Sequence, residues 1–342
     1  MPIIPALLVL VGSISFLSHA AEGLYGVYAS KDQGRFWFKA DVGLPPDKRI
    51  NAFAATQSTI IAGTDAGIYV TTNNAKSWAR APVQFSGPLR VICVATLGNR
   101  AFAGTSDGLL FVSEDGGASW HRDPTFPHRS VRSLYAMGET LYAGVDLDSV
   151  YRSADQGSTW THLAAGLPAR SQVLALTSVE GHIFAGLYGG GLYTWSEADQ
   201  KWLRLAASAN IRPLVLGASG GRLIAGHNPG GIYWSDDLGQ TWTHWTQAIS
   251  PTDSTQRLDL ILEIPAQSFL EAPIWEMAAD KKVVIAGAAD GIYHSKDRGR
   301  TWTRSANGLP QGSPGVAFLA RPGFILAAVS GKQASCSESA NK

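Results

Sequence analysis

Cysteine is nearly absent from this chain. Its 342 residues hold two, Cys93 and Cys336, which support neither a disulfide framework nor a thiolate metal site. Cys93 falls in an apolar segment and is expected to be a small core side chain. Charge is equally sparse. Charged residues make up 16% of the chain with a net of +1, which excludes an extended nucleic-acid groove and a polybasic membrane-binding surface. After residue 20 no apolar run is long enough to span a bilayer. No segment of helical length repeats its apolar residues with a period of 3.6. What remains is a strand-forming chain rich in two residues, with 37 glycines and 11 tryptophans.

Those residues fall into an eight-residue phrase, S-x-D-x-G-x-S/T-W. It stands complete at Ser113–Trp120, Ser153–Trp160, Ser235–Trp242 and Ser295–Trp302. Ser30–Trp37 differs at one position, Thr71–Trp78 is a softened copy, and Ser196–Trp202 is one residue short. The steps between closing tryptophans are 41, 42, 40, 42, 40 and 60. A period of about 40 residues with strand-like content predicts propeller blades. One period supplies four strands: residues 50–56, 59–63 and 68–70, then one opened by Trp78. A recurring Ala-Gly followed by turn residues and Gly-Ile-Tyr, as in 62–69 and 286–293, marks the middle hairpin.

The ends complete this expectation. The first phrase has room for only one strand before it, whereas two orphan strands, 315–320 and 324–329, lie near the C-terminus. Pairing them predicts a seventh blade shared between the ends, which closes the ring and removes a free sheet edge. The expected fold is therefore all-β, a seven-bladed propeller of four-stranded antiparallel blades over residues 21–330. Residues 331–342 read as a polar disordered tail. Residues 2–17 are apolar or small, and Ser18-His19-Ala20 places small residues at the −3 and −1 positions of a cleavage site. Residues 1–20 thus read as a signal peptide, without its usual basic start, and the expected location is secreted or periplasmic. A buried N-terminal strand is the alternative.

The phrase resembles the Asp-box, or BNR repeat, of sialidases, sortilin-type receptors, xyloglucanases and the propeller-type photosystem II assembly factors. The resemblance implies that Asp32, Asp115, Asp155, Asp237 and Asp297 hold turn backbone rather than perform chemistry, and that the tryptophans pack the blades. The alternating carboxylates and closing glutamate of a calcium loop are missing, and neither metal nor cofactor is expected. In such propellers ligand sites usually lie on the face opposite the boxes.

On that face, alignment of the first strands on apolar-x-x-apolar puts Asn51, Arg90, Arg132, Gln172, Arg212 and Trp275 at one repeated position, with Ala317 or a neighbour in the shared blade. Three guanidinium groups around one axial mouth suit a carboxylate, a sulfate or an acidic protein segment. Local pairing of each arginine inside its own blade is the competing reading. The long step before Trp302 leaves an insertion at 248–272, expected to overhang the same mouth as a functional loop or a tolerated excursion.

The resemblance allows two functions. A sialidase needs an Arg-Ile-Pro triplet, an arginine triad and a Tyr/Glu pair. Only Arg49-Ile50-Asn51 approaches the triplet, and no Tyr/Glu pair is identifiable. Asp65, Asp107, Asp146, Asp148 and Asp290 occupy hairpins on the candidate face, where aspartate is expected without chemistry. A single ring with a phrase in nearly every blade fits the assembly-factor type better. The expectation is a monomeric scaffold that binds a protein or an acidic or glycan ligand. A sialidase-like glycoside hydrolase or glycan-binding propeller is the alternative.

Overall fold

The computed structural model describes residues 25–127, 129–228, 230–245, 273–280, 282–310 and 312–330. The expected signal peptide, the 248–272 loop and the 331–342 tail lie outside these residues. The described chain forms seven four-stranded antiparallel sheets. Their first strands, in chain order, define blades one to seven: Ile50–Ala55, Val91–Leu97, Val131–Met137, Val173–Val179, Pro213–Ser219, Ile274–Ala279 and Gly315–Arg321. Each packs against the next, and the seventh packs against the first, so the sheets close into a ring. Blade seven is built as expected. Gly315–Arg321 pairs with Phe324–Ser330, which pairs with Tyr25–Ser30, which carries Phe38–Lys39 at the rim. One 3-10 turn, Ala206–Ser208, is the only helix among the described residues, and no helix there is long and apolar enough to cross a membrane.

Residue size follows the radius. Both faces of each sheet are covered by neighbouring blades, so first strands such as Ile50–Ala55 and Pro213–Ser219 are buried at every position instead of alternating. Blades converge on the axis, and small residues such as Ala52, Ala54 and Ala62 fill that region. They splay at the rim, where Trp37, Trp78, Trp120, Trp202 and Trp302 fill the widening gaps as buried side chains. Trp160 and Trp242 are only half-buried. Cys93 is buried in a first strand, where its thiol donates to the Val131 carbonyl oxygen of the next blade at 3.3 Å.

The glycine of each Ala-Gly pair has a packing reason. Gly63, Gly104, Gly144, Gly186 and Gly226 face the first residue of the next blade's inner strand. A Cβ at Gly63 would lie 2.6 Å from Val91 Cγ1, and one at Gly104 2.7 Å from Val131 Cβ. Only a bare backbone lets the blades approach this closely.

The repeated phrase closes the turn between third and fourth strands with a constant set of bonds. The serine Oγ accepts from the glycine N–H, at 2.8 Å in Ser113–Gly117 and 2.7 Å in Ser295–Gly299. The aspartate Oδ1 accepts from the N–H four residues on, and its Oδ2 accepts from that residue's hydroxyl, as in Thr301 to Asp297 at 2.8 and 2.6 Å. The residue before the glycine is also left-handed, with φ of 66° at Gln33, 59° at Gln156, 58° at Leu238 and 60° at Arg298. The sequence pattern does not betray that position, because its residue type varies.

Replacing Asp297 with alanine strips Thr301 and Ser295 of their acceptor. It should cost about 1–3 kcal/mol of stability, read as a lowered denaturation midpoint with ligand binding intact. A variant with wild-type stability but no binding would contradict this structural role. Hydroxyl and amide donors hold Asp115, Asp155 and Asp237 at about 2, against 3.8 in an unfolded chain. Their contribution is complete above the unfolded value and is lost as the pH falls toward 2. Thermal melts should therefore drop steeply below about pH 4, and asparagine at these three positions should flatten that drop.

Candidate functional site

Antiparallel order puts the repeated turns at one end of the ring. The hairpins between second and third strands, with the connections that lead into each first strand, lie at the other. We call these the motif face and the hairpin face. On the hairpin face a ladder of backbone bonds fixes which residues are equivalent. An N–H at or just after the end of each second strand donates to the carbonyl of the residue just before the first strand: Asp65 to Arg49, Ser106 to Arg90, Asp146 to Ser130, Tyr188 to Gln172, Asn228 to Arg212, Ala289 to Pro273 and Ser330 to Pro314. Two residues later each first strand carries a β-bulge, at Asn51, Ile92, Arg132, Leu174, Leu214, Trp275 and Val316.

This corrects the sequence alignment, which merged two registers. Arg90, Gln172 and Arg212 stand at the ladder position, beside Arg49, whereas Arg132, Asn51 and Trp275 stand at the bulge. Strand alternation has a period of two, so a slip of two residues preserves the apolar pattern and is invisible in it. Blade seven contributes Val316, the neighbour of Ala317, at the bulge. Arg49 is the residue that sequence reasoning missed at this position, and the hairpin ladder is the signal that finds it.

The two positions build different layers. Leu174, Leu214 and Trp275, the bulge residues of three consecutive blades, pack together into an apolar patch. Asn51 donates through Nδ2 to Asp65 Oδ1 and to the Val91 carbonyl, both at 2.8 Å, tying blade one to blade two. The arginines meet carboxylates supplied by the hairpins. Arg90 Nε lies 2.9 Å from Asp65 Oδ1, and Arg132 Nη2 lies 2.6 Å from Asp146 Oδ2. Local pairing is thus realised for Arg132, whereas the Arg90 pair crosses between blades. Arg49 is half-buried among Tyr25, Asp65, Arg90 and the buried Glu276, and its burial pulls its pKa down. Arg212 is exposed and has no ion-pair partner among the described residues. Its backbone N–H donates to His227 Nδ1 at 2.9 Å.

A second repeated pairing lies in the outer strands of each blade. The third-strand aromatic of every blade stands opposite a basic residue on the fourth strand: Tyr28 with Lys39, Tyr69 with Arg80, Phe111 with Arg122, Tyr151 with His162, Tyr193 with Arg204, Tyr233 with His244 and Tyr293 with Arg304. The glycine that opens the third strand makes room for it. A Cβ on Gly291 would lie 3.2 Å from Arg304 Nε.

Most hairpin carboxylates are engaged. Besides Asp65 and Asp146, Asp148 accepts from the Tyr151 hydroxyl at 2.8 Å and faces Arg129 and His162, while Asp290 accepts from the Tyr293 hydroxyl at 2.7 Å. Asp107 is exposed. These Tyr/Asp contacts were not foreseen. Burial and donation to Asp148 push the Tyr151 phenol up to about 12, away from the phenolate that a nucleophile requires. No group of three His, Cys, Asp or Glu side chains among the described residues is arranged to hold a metal ion.

Residues 53–257, more than half of the chain, match the DUF6242 beta propeller domain. The chain belongs to that family. No curated protein sequence matches this DUF6242 propeller. Among solved structures it is similar to YCF48 bound to D1 peptide, with a TM-score of 0.62 and 21% identity over 86% of this chain and 96% of that one. YCF48 from Cyanidioschyzon merolae gives 0.61 and 17%, over 84% and 97% of the two chains. The GH74 xyloglucanase from Xanthomonas campestris gives 0.61 and 18% over 94% of the DUF6242 propeller, which spans 59% of that enzyme. At these identities the likeness is one of fold.

Proposed function

We propose that this propeller is a secreted or periplasmic scaffold that receives an acidic segment of a partner protein at the hairpin-face mouth, acting as a monomer and without catalysis. The observation that carries this reading is that Arg49, Arg90, Arg132 and Arg212 all stand at the hairpin-face starts of first strands, in the same two registers as an apolar patch that includes Trp275. Arg90 engages Asp65 through Nε, and Arg132 engages Asp146 through Nη2, so each guanidinium is held in place with donors left for a ligand carboxylate. The likeness to a propeller solved with a bound peptide, YCF48, supports the class of partner. Gln172 adds a neutral hydrogen-bonding group at the ladder position, while the buried Asn51 holds Asp65.

The test is affinity capture with the tagged chain at low and high salt, followed by titration of the captured partner against variants. Alanine at Arg90, Arg132 and Arg212 together should weaken binding by about 2–5 kcal/mol while the melting temperature holds. Asp65→Asn with Asp146→Asn, which frees the guanidinium groups, should strengthen it. Unchanged affinity in the folded triple variant at either salt concentration rejects the site. Release of sialic acid from a fluorogenic sialoside by the wild-type chain would replace the scaffold reading with a hydrolase.

A further inference from the structure

The opposite face carries a second site with different chemistry. Between blades seven and one, on the motif face, a cleft of about 790 Å³ is bordered by Lys31, Lys39, Lys76 and Arg321, with Phe38 and Phe324 among its apolar walls. No carboxylate belongs to its lining. Lys39 is held by Asp41 at 3.3 Å, and Lys31 lies 5.4 Å from the centre of the Phe38 ring. Lys76 and Arg321 have no ion-pair partner among the described residues. Arg321 is half-buried, a costly place for an uncompensated guanidinium.

The repeated turn of blade seven departs from its own pattern. In four blades the seventh residue of the phrase is a serine or threonine whose hydroxyl donates to the aspartate Oδ2. Blade seven has Phe36 there, 56% exposed, and Phe38 two residues later is 38% exposed. The substitution forfeits that hydrogen bond. Of the two rings, Phe38 stands in the cleft wall, where an occupant would cover it.

We propose that this cleft is a binding site for an acidic peptide segment whose carboxylates alternate with aromatic or aliphatic side chains. The cations match the carboxylates, and the phenyl walls match the apolar side chains between them. An acidic sugar fits less well, because Asn74 is the only neutral hydrogen-bonding side chain in the lining to meet its hydroxyls. A nucleic acid would need a longer track of cations than these four provide. The site does not depend on the hairpin-face mouth.

The test measures fluorescence anisotropy of a short fluorescein-labelled peptide alternating glutamate with phenylalanine. Lys31→Glu, Lys76→Glu and Arg321→Glu combined should weaken binding about tenfold or more, as three exposed ion pairs predict. Phe38→Ala, which keeps every charge, should weaken it as well. The Arg90, Arg132 and Arg212 triple alanine variant should bind this peptide as the wild type does, which separates the cleft from the mouth. Melting temperatures confirm that each variant is folded. Equal binding by the wild-type and cleft variants overturns the proposal. So does tighter binding of a heparin oligosaccharide or a single-stranded oligonucleotide with the same sensitivity to the cleft variants.

Discussion

Deleting residues 315–342 should abolish the single cooperative unfolding transition. The deletion removes the two inner strands of blade seven, and with them Val316, Phe318, Leu319, Ile325, Leu326 and Val329, all buried. At about 1.5–3 kcal/mol for each large apolar side chain, the loss is on the order of 10 kcal/mol, comparable to the whole stability of a typical domain. The geometry adds to this. Ile50–Ala55 and Ile274–Ala279 each lose the neighbour they pack on, and Tyr25–Ser30 keeps only the two-residue strand Phe38–Lys39 as a partner. Calorimetry should show a broad, low-enthalpy transition, and light scattering should show association through the opened edge. A truncated chain that melts as sharply and at the same temperature as the intact one would mean that the ring does not rely on this closure.

Gly144→Val should be among the most damaging single substitutions in the inner strands. The first added carbon would meet Ser133 Oγ, Val173 Cγ1 at 2.8 Å and the Val173 carbonyl oxygen at 2.9 Å. That carbonyl also accepts from Ser133 Oγ at 3.4 Å, so the clash falls on the contact that joins blade three to blade four. Overpacking of a filled core costs about 1–3 kcal/mol, and this site belongs at the upper end because one obstacle is backbone. Adding Val173→Ala should restore part of the loss, since it removes the obstructing methyl groups but not the carbonyl. Full restoration would show that the side chain alone sets the spacing. No loss in the single variant would show that the blades have slack.

The ring could be read from the sequence because each blade repeats the same information. The phrase, the Ala-Gly pair and the Gly-Ile-Tyr strand recur, so weak copies such as Thr71–Trp78 are carried by strong ones. Closure was legible for a related reason, since Gly315–Arg321 and Phe324–Ser330 had no other partner. The mouth was legible only in part. Arg90, Arg132 and Arg212 do lie on one face, but a two-residue slip hid their true register and concealed Arg49. Their carboxylate partners were harder to find. Asp146 is on the far side of a hairpin from Arg132, and Asp65 belongs to a different blade from Arg90. Both aspartates also sit where a turn would place one for backbone reasons alone. The cleft near Phe38 had no repeat to announce it, because Lys31, Lys76 and Arg321 come from two blades and share no repeated position.

The shared blade also sets a schedule. Tyr25–Ser30 is made about 300 residues before its partner Phe324–Ser330. Blades one to six can each form locally as they are synthesised, but Tyr25–Ser30 has to wait until all six have been made before it finds its place. Contacts so distant in sequence are slow to form, and until they do the nascent protein is an open arc with adhesive ends. A factor that shields the N-terminal strand during this interval should raise the yield of closed rings, and a circular permutant whose ends fall between two blades should no longer need it.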